Sequence, residues 1–452
     1  MKKSQPPRSA TKALNFRQFE LAPVLNNWLS DFVLRYAAAN LALPQISSER
    51  KERIMKSELK FSATKLMIAT AMIFAMIVAA SAAGQAATFK VVYTFSGGAD
   101  GGRPLDGFVA DSAGNLYATA FFGGTSHDGV VFKVTPGGAE SVLHSFEGDA
   151  DGANPEGGLI LYNGNLYGTT TAGGAAHVGT VFIISTTGEE SVLYSFRGGK
   201  DGSKPESALA VDASGNLYGT TTAGGASNKG TVFKLSVPKS GGKWTESVLH
   251  SFGAGGDGAV PVAGVTYSSG KLYGTTSAGG AKGDGTVFEL TLSGSTWKET
   301  ILHAFENGDD GATPYAGLVA DKAGNFYGAA TDGGTGGGGT VFKLTPSGGS
   351  WSFDVIYSNP GWGISGSFRN LLIEASGTIY GTTHCDGEHD AGTVYELTPS
   401  GGTWKFTQLY QFTGGTDGLF SFTNPVLVNG KIYGTTNVGG SDKSGVVWEV
   451  TP

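Results

Sequence analysis

The chain has 452 residues, of which 74 are glycine and one is cysteine, with 31 Lys+Arg against 38 Asp+Glu. Glycine at this level, without a triplet period or a low-complexity block, excludes a collagen-like or disordered chain, and the lone Cys385 excludes an internal disulfide. Leaving out the first 86 residues removes 12 of the Lys+Arg and 5 of the Asp+Glu; the remainder, 19 against 33, carries about −14, which argues against nucleic acid and anionic lipid as partners.

Taken in chain order, residues 1–54 form an N-terminal extension with helix-like apolar spacing in "RQFELAPVLNNWLSDFVLRYAAANLALP" and no residues that suggest chemistry. Residues 66–83, "LMIATAMIFAMIVAASAA", follow Lys56, Lys60 and Lys65 and run into small residues, the pattern of a secretory signal over 55–86 cleaved after Ala82 or Ala86. Met55 then serves as an alternative start. An uncleaved membrane anchor is the second reading of the same run, and in that case alone the membrane is a partner. Either way residues 87–452 are expected outside the cytoplasm: secreted, periplasmic or at the cell surface.

From residue 88 the sequence repeats. A clean copy is "SVLYSFRGGKDGSKPESALAVDASGNLYGTTTAGGASNKGTVFKLS", residues 191–236, and its central tyrosine recurs at Tyr117, Tyr167, Tyr218, Tyr273, Tyr327, Tyr380 and Tyr433, at intervals of 50 to 55 residues. Each unit holds four short β-favouring runs, here "ALAVD", "NLYGTT", "GTVFKLS" and "SVLYSF", separated by turn residues. Four short strands per repeat predict an all-β, seven-bladed propeller of four-stranded blades. The repeat opens on "FKVVYTF", residues 89–95, which matches the "SVLYSF" run, and ends on "GVVWEVTP", which matches the run before it. The N-terminal strand is therefore expected to complete the last blade and close the ring, leaving no exposed edge and no need of an oligomer. A monomer is expected.

The wording "NLYGTTTAGGA", "GTVFKL" and "SVLYSF" with its Gly-Gly, Asp-Gly and Pro resembles the GloVer tandem repeat of exported bacterial "choice-of-anchor" proteins, over essentially all of residues 88–452. That resemblance implies a repeat architecture and export, and no particular activity. A looser similarity to kelch blades rests on the Gly-Gly pairs and on Trp244, Trp297, Trp351 and Trp404 before the last strand of a unit.

Six units carry an aspartate in a "DG" loop: Asp100, Asp151, Asp201, Asp257, Asp310 and Asp417. Asp-Gly followed by proline is turn chemistry, the carboxylate accepting local N–H groups. Chemistry is better sought where the repeat breaks, in blade six. There "SNPGWGISGSFRN", residues 358–370, replaces the Asp-Gly loop, and "THCDGEHDAG", residues 383–392, replaces a glycine-rich loop expected on the same face. Trp362 offers a flat apolar plate and Arg369 a forked donor, with Asp386, Glu388 and Asp390 as further ligand-binding candidates. His384, Cys385 and His389 add nitrogen and sulfur donors suited to a divalent metal such as zinc. There is no G-x-S-x-G elbow, P-loop or H-E-x-x-H helix, and no catalytic residue is assigned.

The leading functional expectation is an exported scaffold that binds a carbohydrate, an envelope component or a protein. The alternatives are a polysaccharide hydrolase or lyase, or a metal-assisted enzyme on the blade-six loops, and a purely structural surface protein. Propellers host all of these, so fold cannot arbitrate.

Overall fold

A computed structural model describes residues 86–452 apart from 240, 254, 255 and 361–367, with backbone alone at 368–370. The N-terminal extension and nearly all of the segment 55–86 expected to be a signal, and also Trp362, lie outside the described residues. Seven four-stranded antiparallel sheets form the blades of a ring, as the repeat count predicts.

Blade three shows how the repeat makes a blade. Its strands Ala210–Val211, Leu217–Thr221, Thr231–Ser236 and Thr245–Ser251 pair in chain order. The first reversal is closed by Asp212, whose Oδ1 accepts the N–H groups of Ser214 and Asn216 at 2.9 Å. Leu217–Thr221 is buried along its whole length because a blade packs both faces of its inner strands on neighbours, so the strand reads "LYGTT" and not as an alternation. Gly219 is required by packing: a Cβ there would come within 2.6 Å of the ring of Phe233, which lies across it.

The hydrophobic core is divided into seven clusters, one at each joint between neighbouring blades. The phenylalanine that ends each "SVLYSF" run sits at the centre of its joint: Phe95, Phe146, Phe196, Phe252, Phe305 and Phe412 are all fully buried. Each contributes roughly 2–3 kcal/mol of apolar burial. At the joint between blades five and six the equivalent residue is Asn359. Threonine hydroxyls add hydrogen bonds across joints, from Thr119 to the Gly157 carbonyl, Thr169 to Ser207, Thr220 to Ala263 and Thr275 to Ala316, at 2.8–3.2 Å. Blade five has Ala329 at this position, so the joint to blade six lacks that bond.

The ring closes as its two ends predict. Thr88–Thr94 pairs antiparallel with Val446–Thr451, in one sheet with Lys431–Thr436 and Val426–Val428. Thr435 then donates to the carbonyl of Asp106 in blade one at 3.2 Å.

A bulge not foreseen from the sequence recurs in the outermost strands. Val232 pairs with His250 and Phe233 with Val248, so Leu249 is an extra residue, and the same shift occurs opposite Val131, Val181, Val287, Val341 and Val394. One extra residue reverses which face the following side chains take. Glu246 and His250, four apart, would share a face of a regular strand. With the bulge between them, Glu246 faces blade two and His250 faces blade four.

Candidate functional site

The Asp-Gly loops are built as turns. Asp201 accepts the N–H of Arg197 and the hydroxyl of Tyr194, both at 2.6 Å; Asp310 accepts the N–H of Glu306 at 3.0 Å and lies 2.9 Å from Nε2 of His303; Asp417 accepts Thr413 N–H and Tyr410 hydroxyl at 2.8 and 2.9 Å. The aspartate fastens its loop to the outermost strand of its own repeat, and the His or Tyr seven residues earlier is the other end of that clasp.

Blade six departs from this plan and opens a groove. Where the other joints bury a phenylalanine ring, Asn359 fills less space, and its Nδ2 donates to Oδ2 of Asp386 at 3.0 Å. Asp386 also accepts the N–H of Gly387 at 2.8 Å, so the carboxylate is held between the two divergent loops. The sequence has Ile364 where other repeats have the clasp aspartate. The charge of Asp386 reaches Tyr357, whose hydroxyl is pushed above its ordinary pKa by burial first and by that carboxylate second. The resulting groove holds about 640 Å³ and is lined by Tyr357, Asn359, Asp386, Glu388, Asp390, Phe406, Gln408 and Gln411. The rings of Tyr357 and Phe406 stack at 4.6 Å and 9° along it.

Three of the expected ligand-binding residues, Asp386, Glu388 and Asp390, thus come together. Trp362 lies outside the described residues, and of Arg369 only the backbone is described, in the strand Phe368–Ile373. The residues expected to hold a metal are placed differently. The ring of His384 packs on Phe420 and Phe422 at 4.4 and 4.2 Å, with Nδ1 2.7 Å from Sγ of Cys385, while His389 is exposed. Among the described residues the group of His, Cys, Asp and Glu with donor atoms mutually within 4.8 Å is His250, Asp257 and Glu299, at the joint of blades three and four. It is a version of the clasp found at other joints, and the fold alone accounts for it.

The axial channel contains carboxyl groups that the sequence reading did not single out. A cavity of about 340 Å³ is lined by Asp106, Glu156, Glu206, Tyr315, Phe422 and Asn424 among others. Asp106 accepts the N–H groups of Gly107 and Gly158 at 2.6 and 2.7 Å and Nδ2 of Asn424 at 2.7 Å, tying blades seven, one and two together. Burial still raises its pKa, against these donors. Burial likewise raises Glu206, which accepts the Thr222 hydroxyl at 3.0 Å. Their sequence signal is a carboxyl one or two residues after the loop proline, in "PLDG", "PEGG" and "PESA", where the chain enters the innermost strand.

The family profile of the Gloeobacter/Verrucomicrobia repeat matches residues 72–281 and 266–452. The chain is a member of that repeat family, which the resemblance of its strand wording had indicated. A search of curated proteins finds no match. Among solved structures it is similar to a Bacteroides uniformis protein assigned as a 6-phosphogluconolactonase, at 14% identity and TM-score 0.47, over 70% of this chain and 88% of that one. A Thermus thermophilus protein assigned as an oxidoreductase (glucose dehydrogenase) matches at 14% identity and TM-score 0.41, over 71% of this chain and 99% of that one. A luciferin-regenerating enzyme matches at 15% identity and TM-score 0.41, over 70% and 96%. Similarity at this level carries nothing about the chemistry of this chain.

Proposed function

We propose that the protein is an exported binding propeller that takes a carbohydrate, most simply a neutral glycan of the cell envelope, in the groove between blades five and six. The observation that carries this reading is the groove itself, which opens where the repeat breaks. It combines the stacked faces of Tyr357 and Phe406 with the amides of Gln408 and Gln411 and the carboxylates of Asp386, Glu388 and Asp390. An apolar wall of two rings stacked on each other, beside short polar side chains, matches a sugar ring, whose C–H groups pack on that wall and whose hydroxyls both donate and accept. The acidic exported part disfavours nucleic acid and anionic glycans, and the protein works as a monomer. Export rests on the apolar run 66–83 and its basic flank, and a mature N-terminus at Ala83 or Ala87, read from protein recovered outside the cytoplasm, is the expected outcome.

The test is calorimetric titration with neutral envelope oligosaccharides. Asp386→Ala and Gln408→Ala are expected to weaken binding about tenfold each, the worth of one or two lost hydrogen bonds. Binding unchanged in both variants removes the groove as the site. A hydrolase reading is favoured by one observation, the glutamates Glu156 and Glu206 in the axial cavity. Release of reducing ends that Glu206→Gln abolishes would favour it over the binding reading.

A further inference from the structure

One register position on the outermost strands decides the chemistry of every joint. Opposite Val134, Ile184, Leu235 and Leu290 stand Glu140, Glu190, Glu246 and Glu299; opposite Leu344, Leu397 and Val450 stand Phe353, Phe406 and Phe89. Turned by the bulge, each faces the His or Tyr of the preceding blade. The phenylalanines stack there, Phe353 on His303 and Phe89 on Tyr410, both at 3.6 Å. The glutamates meet the clasp aspartate as well.

Glu140 faces Asp100 and Tyr93. Glu190 faces Asp151, which lies 3.2 Å from Nε2 of His144. Glu246 is in hydrogen-bonding contact with Asp201, with the Arg197 guanidinium and the Tyr194 hydroxyl around the pair. Glu299 is in the same contact with Asp257, and its Oε2 lies 3.9 Å from Nε2 of His250. In all four, Oε1 of the glutamate is shut off from solvent and has no hydrogen-bond partner. Two ionised carboxylates brought together out of water repel, and one proton on the pair removes that repulsion; at Glu246 and Glu299, which are in hydrogen-bonding contact with their aspartates, it also supplies the donor that two carboxylates lack. Each aspartate already accepts a backbone N–H and lies against His or Tyr, whereas Oε1 of the glutamate has no donor, so the proton of the pair falls to the glutamate.

We propose that the joints between blades seven and one, one and two, two and three, and three and four are proton-held clasps: each Glu–Asp pair takes up one proton as the ring closes, so that acid tightens this half of the ring and alkali loosens it. The joint between blades seven and one is the closure of the ring, so the closing strand is among the elements held this way.

Burial, then the neighbouring aspartate, raises Glu140, Glu190 and Glu246 to about 7 and Glu299 to about 8. A carboxyl raised in the fold contributes stability that is complete below its unfolded value, 4.5, and is lost as pH rises through 7 to 8. Asp100 and Asp257 are lowered despite burial, by the hydrogen bonds they accept, and their contribution is lost only at more acid pH. His303, kept neutral by burial, works against the trend and loses stability as pH falls below 6.5. Asp106 and Glu206, also raised by burial, add to the four glutamates and His303 opposes them, so the net direction is loss of stability with rising pH. The slopes of the single variants assign the share of each joint.

The test is thermal unfolding of the whole chain from pH 5 to 8.5, beside single Glu→Gln variants at the four positions and the quadruple variant. Tm is expected to fall by about 5 °C or more between pH 5 and 8, and each single variant to flatten the slope, since glutamine donates to aspartate without a proton. Unfolding enthalpies at pH 6 in buffers of different ionisation heat read the protons released, and serve even if the quadruple variant does not fold. A wild-type Tm that is flat or rises over this range, or variants with the wild-type slope, would overturn the proposal. So would a Tm at pH 8 that EDTA lowers, since a cation would then hold the pairs.

Discussion

At the joint between blades three and four the residue facing the outer-strand histidine is Glu299; one joint further on it is Phe353, whose ring lies 3.6 Å from that of His303 at 7°. The positions are equivalent in register, and the histidine and clasp aspartate are present in both. In the first, a polar contact is made from a carboxyl pair that must be neutralised. In the second, a ring stack makes the contact and the aspartate keeps only its loop and its histidine. An aromatic joint therefore does not depend on the aspartate. The blade-six break falls in this half of the ring, where Tyr357 and Phe406 still stack although the Asp-Gly loop is replaced. Loss of the same aspartate beside Glu299 would leave a buried carboxyl with only His250, 3.9 Å away, to meet it in its own joint. The aromatic half can give up a loop to build a groove, and the carboxyl half cannot.

Exchanging the two chemistries is the most direct way to break this comparison. Phe353→Glu places a carboxyl beside Asp310 and His303, removes contacts with Phe305 and Phe342, and is expected to cost about 3 kcal/mol at pH 8 and visibly less at pH 5. Chemical denaturation at the two pH values checks it; an equal cost at both would mean that a fourth aromatic ring, and not charge, is what that joint needs. The reverse exchange, Glu299→Phe, is expected to gain about 1 kcal/mol at pH 8 by replacing a buried carboxyl pair with a stack on His250, and nothing at pH 5. A loss at pH 8 would show that the carboxyl pair is intrinsically the better contact. The smallest expected effect sharpens the role of the clasp itself: Tyr194→Phe removes the 2.6 Å bond to Asp201 and should cost about 1 kcal/mol, read by denaturant midpoint, with Glu246 correspondingly easier to protonate.

Much of the architecture could be read before any coordinates. The tyrosine period counts the blades, the four β-favouring runs count the strands, and the mismatch between "FKVVYTF" and "GVVWEVTP" locates the closure. These are local signals, because turn glycines, β-branched runs and repeat length act within one blade. Part of the candidate site was legible for the same reason. A break in the repeat marks divergent loops, and Asp386, Glu388 and Asp390 do line one groove. Whether a donor in such a loop turns toward the groove or away from it is set by what packs beneath, and His384 turns to Phe420 and Phe422 in the next blade.

The sequence alone determined seven four-stranded blades, their order, the joining of the two ends and the place where the repeat is interrupted, since each follows from spacing along the chain. Even the glutamates are visible there, four residues before the His or Tyr in "ESVLHSF", "ESVLYSF" and "ETILHAF". Their partners are not. A bulge of one residue turns Glu246 away from His250 and toward Asp201 of the preceding repeat, and the stacking of blades around the axis brings those carboxyls into contact. Facing across a joint is a property of how neighbouring sheets pack, and only the tertiary structure decided it.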